Sequence, residues 1–369
     1  MKICSPQLGL NPNTYLGGEV YDYEIIKGLC KKGIKVDVLL PKNRKYEKHS
    51  NLKIIFLPIT HIIPPHIFNI LALPYMLIMS KKNSYDILRL HNPYFLGIGG
   101  WIVKKIYPNK KIVTDVLLAE ERLDLKIILK RTIHIYDHIF VLTNYLRKWL
   151  EKEYGFDHKK ITVIYGGVSK DLYPANKDKD LIKKYKLESK TVLLNIGLMS
   201  ERKNVTFLVK LFMKLSVKYK NLVLILCGNG QLKTQLKEYV KKYNLEHKIY
   251  ILDPVHGVSK TKMFNLADIF MFPTKNEGFG LVAAEAMACA KPVIASDNTS
   301  LPEVVDNAIN GFLAKTNDLN DWYQKTEKLI LDRSLRNRMG LNARNKSEKI
   351  FSWESVNRRI VEGLKKTLS

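Results

Sequence analysis

Cysteine is scarce in this chain. The four in 369 residues, Cys4, Cys30, Cys227 and Cys289, form no CxxC pair and have no histidine cluster near them. That scatter excludes a disulfide-stapled scaffold and a cysteine-ligated zinc module, and it fits a reducing cytoplasm. No low-complexity tract argues for disorder. The opening segment MKICSPQLGLNPN has no unbroken apolar core, so a cleaved secretory leader is not expected. Long hydrophobic runs are missing too. The one membrane-like stretch, Ile62–Met79, is broken by Pro64, Pro65, His66, Asn69 and Pro74, where a span needs roughly 20 unbroken apolar residues. Acidic residues are also few: 35 Asp and Glu face 61 Lys and Arg, a net charge of +26. The excess is spread over both halves, +12 over residues 1–165 and +14 over 166–369. Such a field attracts polyanions, whether nucleic acid, anionic lipid or phosphorylated substrates; the alternative is lysine-rich solvated helix faces. No RNP, KH, helix-turn-helix or zinc signature accompanies the charge, so a specific nucleic-acid partner is not expected.

What is present is a folded, two-domain composition: 46% hydrophobic and 26% charged residues in a chain too long for one ordinary core. Short β-branched runs alternate with longer amphipathic ones. KVDVLL, KIIFLP, DILRLH, KIVTDV, HIFVLT and ITVIY read as strands of the first half. TVLLNIG, LVLILCG, KIYIL, DIFMFP and PVIAS restart the pattern after residue 190. Alternation of this kind predicts βαβ units, hence an α/β fold with two mainly parallel, doubly wound Rossmann-like sheets. The expected division is an N-terminal domain over 1–168, a polar linker over 169–190 and a C-terminal domain over 191–351. Ligands of such sheets bind outside the carboxyl ends of the strands, so chemistry is sought at strand-to-helix turns.

The densest such turn is FPTKNEGFGLVAAEAMACAKPVIAS, Phe272–Ser296. A strand ends near Pro273, a glycine-bearing loop follows, and LVAAEAMA opens a helix. Gly278 and Gly280 permit close approach of backbone to a ligand, flanked by Phe279 and Leu281, and helix-start amides attract phosphate. Glu277 in the loop and Glu285 one turn into the helix are two carboxylates able to accept from vicinal sugar hydroxyls. A second turn, NIGLMSERKNVTFLVKLF, carries Arg202 and Lys203 between a strand and a helix, where cations can meet a diphosphate. In the N-terminal half, Gly17 and Gly18 precede the helix EVYDYEIIKGLCKKG, and His91 closes the strand DILRLH.

The E-x7-E spacing from Glu277 to Glu285, in the setting EGFGLVAAEAMACAKPVIAS and followed by LPEVV and NGFL, resembles the retaining glycosyltransferases of the GT-B fold, family-4 type, also described as glycosyl transferases group 1. The likeness is dense from about residue 190 to 353 and patchier before. It implies two Rossmann-like domains facing across a cleft, the N-terminal one for the acceptor and the C-terminal one for the donor. It further implies that Glu277 holds the donor sugar, Glu285 the ribose, Lys203 the diphosphate, and that Gly17 and Gly18 form a loop closing over the donor. The final segment, 352–369 with Trp353, would cross back to the N-terminal domain. Two departures stand out. Leu198 occupies the place where many relatives carry arginine, which leaves Arg202 as a substitute, and no histidine ends the strand KIVTDV, where Asp115 or Glu120 would face the crevice instead. His91, at another strand end, matches a frequent family position. Glu303 and Gly311 read as donor-site wall and turn.

The implied reaction is transfer of a hexosyl-type sugar from a nucleoside-diphosphate sugar, a UDP-sugar favoured, to an acceptor hydroxyl with retention, in glycan, glycolipid or cell-surface polysaccharide synthesis. No cofactor or metal is expected: the only DxD, Asp178–Asp180, lies in the lysine-rich linker and reads as surface charge. The expected partners are the donor, a sugar, lipid-linked or other hydroxyl acceptor, and an anionic membrane surface. That last expectation rests on basic and aromatic segments such as GWIVKKIYPNKK, with a buried helix face as the alternative for Ile67–Met79. The location is then cytoplasmic, peripheral on the inner face of the cell membrane. A sugar-phosphate synthase or phosphorylase on the same fold is the nearer alternative, and a basic nucleic-acid-binding protein the more distant one.

Overall fold

A computed structural model of the chain describes residues 1–12, 17–60 and 64–369. It divides into two compact units: Met1–Gly167 together with Trp353–Ser369, and Val168–Ser352. The first unit runs through β1 (Lys2–Pro6), α1 (Gly17–Lys31), β2 (Lys35–Pro41), β3 (Leu52–Leu57), α2 (Pro65–Lys81), β4 (Ile87–His91) and α3 (Pro93–Ile106). It continues with β5 (Lys111–Val116), α4 (Leu123–Thr132), β6 (His138–Val141), α5 (Asn144–Tyr154) and β7 (Ile161–Val163). Among the described residues its sheet has seven strands, ordered β3-β2-β1-β4-β5-β6-β7 and parallel throughout.

The second unit contains α6 (Lys179–Lys184), β8 (Thr191–Ile196), α7 (Val205–Lys218), β9 (Leu222–Cys227), α8 (Lys233–Lys242), β10 (Ile249–Leu252) and α9 (Gly257–Leu266). Then come β11 (Ile269–Phe272), α10 (Leu281–Ala288), β12 (Val293–Ser296), α11 (Leu301–Val304), β13 (Gly311–Ala314), α12 (Leu319–Leu331) and α13 (Arg333–Ile350). Its six described strands are also all parallel, in the order β10-β9-β8-β11-β12-β13. Parallel strands are covered on both faces, which is why TVLLNI and LVLILC are apolar runs rather than alternating ones. Leu193, Leu224 and Met271 from the strands meet Leu208, Phe212 and Trp322 from the helices in one buried core. The last helix, α14 (Trp353–Leu368), belongs to the first unit and packs along α1, β6 and β7. Gly167 leaves room for the Trp353 indole, and Trp353 tilts against Tyr21 at 6.1 Å.

The α/β class and the two parallel, doubly wound sheets are as expected, and the structure adds particulars. β1 and β13 were not among the expected strands; β1 is an interior strand, between β2 and β4, with Ile3, Cys4 and Ser5 wholly buried. The stretch 169–190, expected as a linker, is folded into the second unit. Leu172 and Leu187 are buried, the Ala175 amide donates to Asn265 Oδ1 at 2.8 Å, and Lys177 pairs with Asp268 at 2.8 Å. The two leucines stand 15 positions apart and the other anchors are polar, so they leave no apolar period to read. Asp178 is the N-cap of α6, accepting from the Leu181 amide at 3.0 Å, and it also pairs with Lys262 at 2.8 Å.

Residues 62 and 63 of the membrane-like stretch lie outside the described residues. The remainder forms α2, which continues through Pro74. Phe68, Asn69, Ala72 and Met76 face inward and are buried. The other face of α2 is exposed, so the helix is not wholly a core element. Among the described residues no helix is long and apolar enough to cross a membrane.

Candidate active site

In the second sheet β8 and β11 are neighbours, and the winding reverses between them. The loops after two such strands part in opposite directions and leave a crevice outside their carboxyl ends. The loop after β8 tightens into a 3-10 turn, Glu201–Lys203, ended by Asn204 in the left-handed conformation (φ 57°). The loop after β11 is stitched to it: the Lys275 amide donates to Arg202 O at 2.8 Å, and Thr274 Oγ1 donates to the same carbonyl at 3.2 Å. Arg202 Nη1 in turn donates to Asn276 O at 2.8 Å and lies 3.5 Å from Glu277 Oε2. Lys203 Nζ donates to the same Oε2 of Glu277. It also stands over the Phe272 ring, 5.0 Å from the centroid. Burial pushes the Lys203 ammonium below its ordinary pKa, with Glu277 pulling the other way and Arg202 adding to the depression. The Glu277 amide donates to Thr299 Oγ1 at 3.2 Å, which fixes the loop from the far side.

Gly280 turns this loop into α10 at φ 94°, and a Cβ there would come within 3.0 Å of Phe272 and 3.1 Å of Leu301. Only glycine fits both the angle and the space. One turn into α10, Glu285 Oε1 accepts from Lys260 Nζ of α9 at 2.6 Å. Its Oε2 is buried and has no hydrogen-bond partner among the described residues. A carboxylate oxygen so placed is an acceptor in want of a donor.

The first sheet has its own winding reversal, between β1 and β4. His91 ends β4, and its Nδ1 lies 2.5 Å from Asp22 Oδ2 on α1. Asp22 Oδ1 accepts from Arg89 Nη2 at 2.8 Å. The same guanidinium nitrogen is 2.7 Å from Asp115 Oδ2, and Tyr21 Oη donates to Asp115 Oδ1 at 2.9 Å. Arg89, Asp22 and Asp115 are all buried. Burial alone would raise the Asp22 carboxyl, but His91 and Arg89 more than offset it and hold it below the usual range. Asp115 goes the other way: burial raises it and Arg89 only partly compensates. His91 Nε2 faces Gly18, 3.9 Å from where a Cβ on that glycine would sit.

Two family models match the chain, one after the other: "Glycosyltransferase Family 4" over residues 15–172 and "Glycosyl transferases group 1" over residues 176–346. The chain belongs to the GT-B glycosyltransferases of the family-4 type. An uncharacterised glycosyltransferase of Methanocaldococcus jannaschii is 27% identical over 96% of this chain and 95% of its own length. The sucrose-phosphate synthase of Thermosynechococcus elongatus shares the fold with a TM-score of 0.85 at 20% identity, over 99% of this glycosyltransferase and 98% of that chain. HepE of Anabaena, solved in complex with UDP and glucose, has a TM-score of 0.81 at 18% identity, over 99% of each chain.

Within this glycosyltransferase the expected site residues separate. Lys203, Arg202 and Glu277 come together. Glu285 stands apart with Lys260, and no hydrogen bond or ion pair among the described residues joins it to Glu277. Gly278, Gly280 and Leu281 belong to the loop and the start of α10, but the Phe279 ring is buried edge-on against Phe351 at 5.1 Å. Its side chain is core, and only its backbone lies along the loop. Gly17 and Gly18 form the first turn of α1 rather than a turn before it. Asp115 is sealed in the Arg89 network and does not face a crevice. Glu120 instead accepts from the Glu121 and Arg122 amides, both at 3.0 Å, as a local turn acceptor. Gly311 opens β13, where the Val293 backbone leaves no space for a Cβ, and Glu303 lies in α11.

Sequence reasoning missed Asp22, Tyr21, Arg89 and Lys260. Arg89 carried a readable sign, because an arginine in the middle of the apolar run DILRLH must be paired if the strand is buried. Asp22 carried a weaker one, standing one helical turn after Gly18 and so on the same face.

Proposed function

We propose that this glycosyltransferase moves a hexosyl-type unit from a nucleoside-diphosphate sugar, in the first instance a UDP-sugar, to an acceptor hydroxyl with retention at the anomeric carbon. The observation that carries the reading is the meeting of Lys203, Arg202 and Glu277 at the winding reversal of the second sheet. Charge grows on the diphosphate as its bond to the sugar breaks, and an ammonium already held in a dry site stabilises that charge without reorganising. With Arg202 beside it and the first-turn amides of α10 nearby, Lys203 meets the diphosphate without a metal. Glu277 then accepts from the sugar hydroxyls. Glu285, with Oε2 unpaired, accepts from the ribose.

Retention follows from attack on the face the leaving group vacates. The acceptor oxygen bonds to the anomeric carbon, the bond from that carbon to the phosphate oxygen breaks, and the acceptor's proton passes to the departing phosphate. No protein nucleophile is consumed. His91, held by Asp22 on one nitrogen and turned toward Gly18 on the other, is the reaction-centre candidate of the first unit. The complex of HepE with UDP and glucose supports the UDP-sugar reading. The four cysteines are buried and unpaired, in keeping with a cytoplasmic enzyme of glycan, glycolipid or cell-surface polysaccharide synthesis.

Thermal unfolding against UDP, GDP, ADP and their sugars tests this. A nucleotide at 100 times its dissociation constant should add about 2.7 kcal/mol of stability. Replacing Glu285 with alanine should shrink the difference between UDP and 2′-deoxy-UDP. No response to any nucleotide sinks the proposal.

A further inference from the structure

From residue 64 to residue 80 the chain carries no Lys, Arg, Asp or Glu, yet α2 lies on the surface. Its outward side shows Ile67, Ile70, Leu71 and Ile78, at helical spacing, with Ile70 68% exposed. Beside it α3 shows Ile98, Trp101 and Ile106, and beyond that α4 shows Leu123, 72% exposed, and Ile127. These nine are among the nineteen exposed large apolar side chains of the described residues. The three helices pack side by side. Glycines on the inner sides of α3 allow it: a Cβ on Gly99 would meet Asn69 and Met76 of α2, and one on Gly97 would meet Thr132 of α4 at 2.9 Å. The exposed apolar residues therefore fall on one continuous layer rather than singly around the surface, and such a patch marks a binding face.

The charges around it identify the occupant. The three helices carry six cations, Lys81, Lys104, Lys105, Lys126, Lys130 and Arg131, against a single acid of their own, Asp124; Lys104 is held by Asp137 at 3.0 Å, which leaves five for the surface. Lys105 Nζ lies 5.7 Å from the Trp101 ring centroid, an aromatic and a cation side by side at the edge of the apolar layer. We propose that the outward face of α2, α3 and α4 docks the enzyme on an anionic phospholipid surface. The aliphatic side chains enter the headgroup boundary, Trp101 sits at the interface, and the lysine stems reach the phosphates. A second copy of the chain would set like charges against like, which disfavours self-association through this face. The helix does not span: α2 has 17 residues, a length of about 25 Å against about 30 Å of hydrocarbon, and its other side is committed to the core.

The test is co-sedimentation of the full chain with vesicles of phosphatidylglycerol and phosphatidylcholine, and with phosphatidylcholine alone, at 0.15 M salt. The protein should pellet with the anionic vesicles and partition at least tenfold less onto the neutral ones. I70E/I78E, placed on exposed positions, should lower partition at least tenfold with unfolding temperature unchanged. K105E/K130E should lower it by about fivefold per residue. Failure of the wild type to pellet with anionic vesicles overturns the proposal, and so does unchanged binding by I70E/I78E. A concentration-dependent dimer in analytical ultracentrifugation, abolished by I70E/I78E without any vesicle binding, would assign the face to a second copy instead. The surface lies wholly in the first unit, so vesicle binding and the nucleotide response of the second unit fail independently.

Discussion

His91 Nδ1 stands 2.5 Å from Asp22 Oδ2, while the other oxygen of Asp22 takes the buried Arg89 guanidinium at 2.8 Å. A carboxylate in that position ties the imidazole through Nδ1 to the buried Arg89 network and leaves Nε2 on the Gly18 side. Asp22 is thus a positioning residue acting through His91.

Asp22→Asn should lower turnover by about 10²-fold and change the pH–rate profile, because the amide removes the negative charge that stands against the imidazole. It should leave UDP affinity untouched, since the nucleotide contacts proposed above lie in the other unit. Removing one of the two carboxylates around Arg89 should also cost on the order of 3 kcal/mol in stability. Single-turnover rates from pH 6 to 9, with thermal melts alongside, separate the two effects. Lost stability with a wild-type pH profile would make Asp22 merely structural.

In the free enzyme Lys203 and Glu277 neutralise each other, so the two substitutions should differ in sign. Lys203→Met should weaken UDP by roughly 30-fold, about 2 kcal/mol. Glu277→Gln should hold UDP as well as the wild type or better, because the ammonium and Arg202 lose their competing carboxylate. The same variant should lose transfer, since the sugar hydroxyls lose a charged acceptor. Calorimetric titration with UDP and with the intact donor decides. Equal weakening of UDP by both variants would mean that Glu277 does not serve the sugar.

The parts of this molecule that were legible in its sequence are those where a local pattern carries the physics. Buried parallel strands such as TVLLNI and LVLILC are apolar on both faces, and a strand followed by glycine and charge marks a turn at a carboxyl end, which exposed Lys203 and Glu277. β1 escaped because Cys4 and Ser5 are small and polar in type, although β1 is an interior strand, between β2 and β4, and is buried. β13, four residues long, reads as a turn by composition alone. The Asp22–Arg89–Asp115 network escaped because its members come from three distant elements and only the sheet order brings them together. Lys260 and Glu285 meet for the same reason, across two helices. The segment 169–190 looked like a linker because side chains of Thr261 and Asn265, not an apolar stripe, hold its backbone. Helix α2 is apolar on both faces apart from His66, Asn69 and Ser80, and carries no charge before Lys81; such a pattern does not say which side the fold will cover.

Stability should fall with acid in a window set by His138. This residue opens β6, is buried, and has its Nε2 2.7 Å from Thr162 Oγ1. Burial, with Lys366 adding to it, pushes its pKa from 6.5 down to about 4. Between those two values the unfolded chain takes up a proton that the folded protein refuses, so the unfolded state binds more protons and stability rises with pH. The contribution is complete above the unfolded value, declines as pH drops below 6.5, and is exhausted near 4. Going from pH 7.5 to pH 5 should remove about 2 kcal/mol through this one group. His138→Asn, which keeps a polar partner for Thr162, should flatten the urea-unfolding profile of the first unit by that amount relative to the wild type. Parallel profiles for the two proteins would mean that the folded imidazole titrates as freely as the unfolded one.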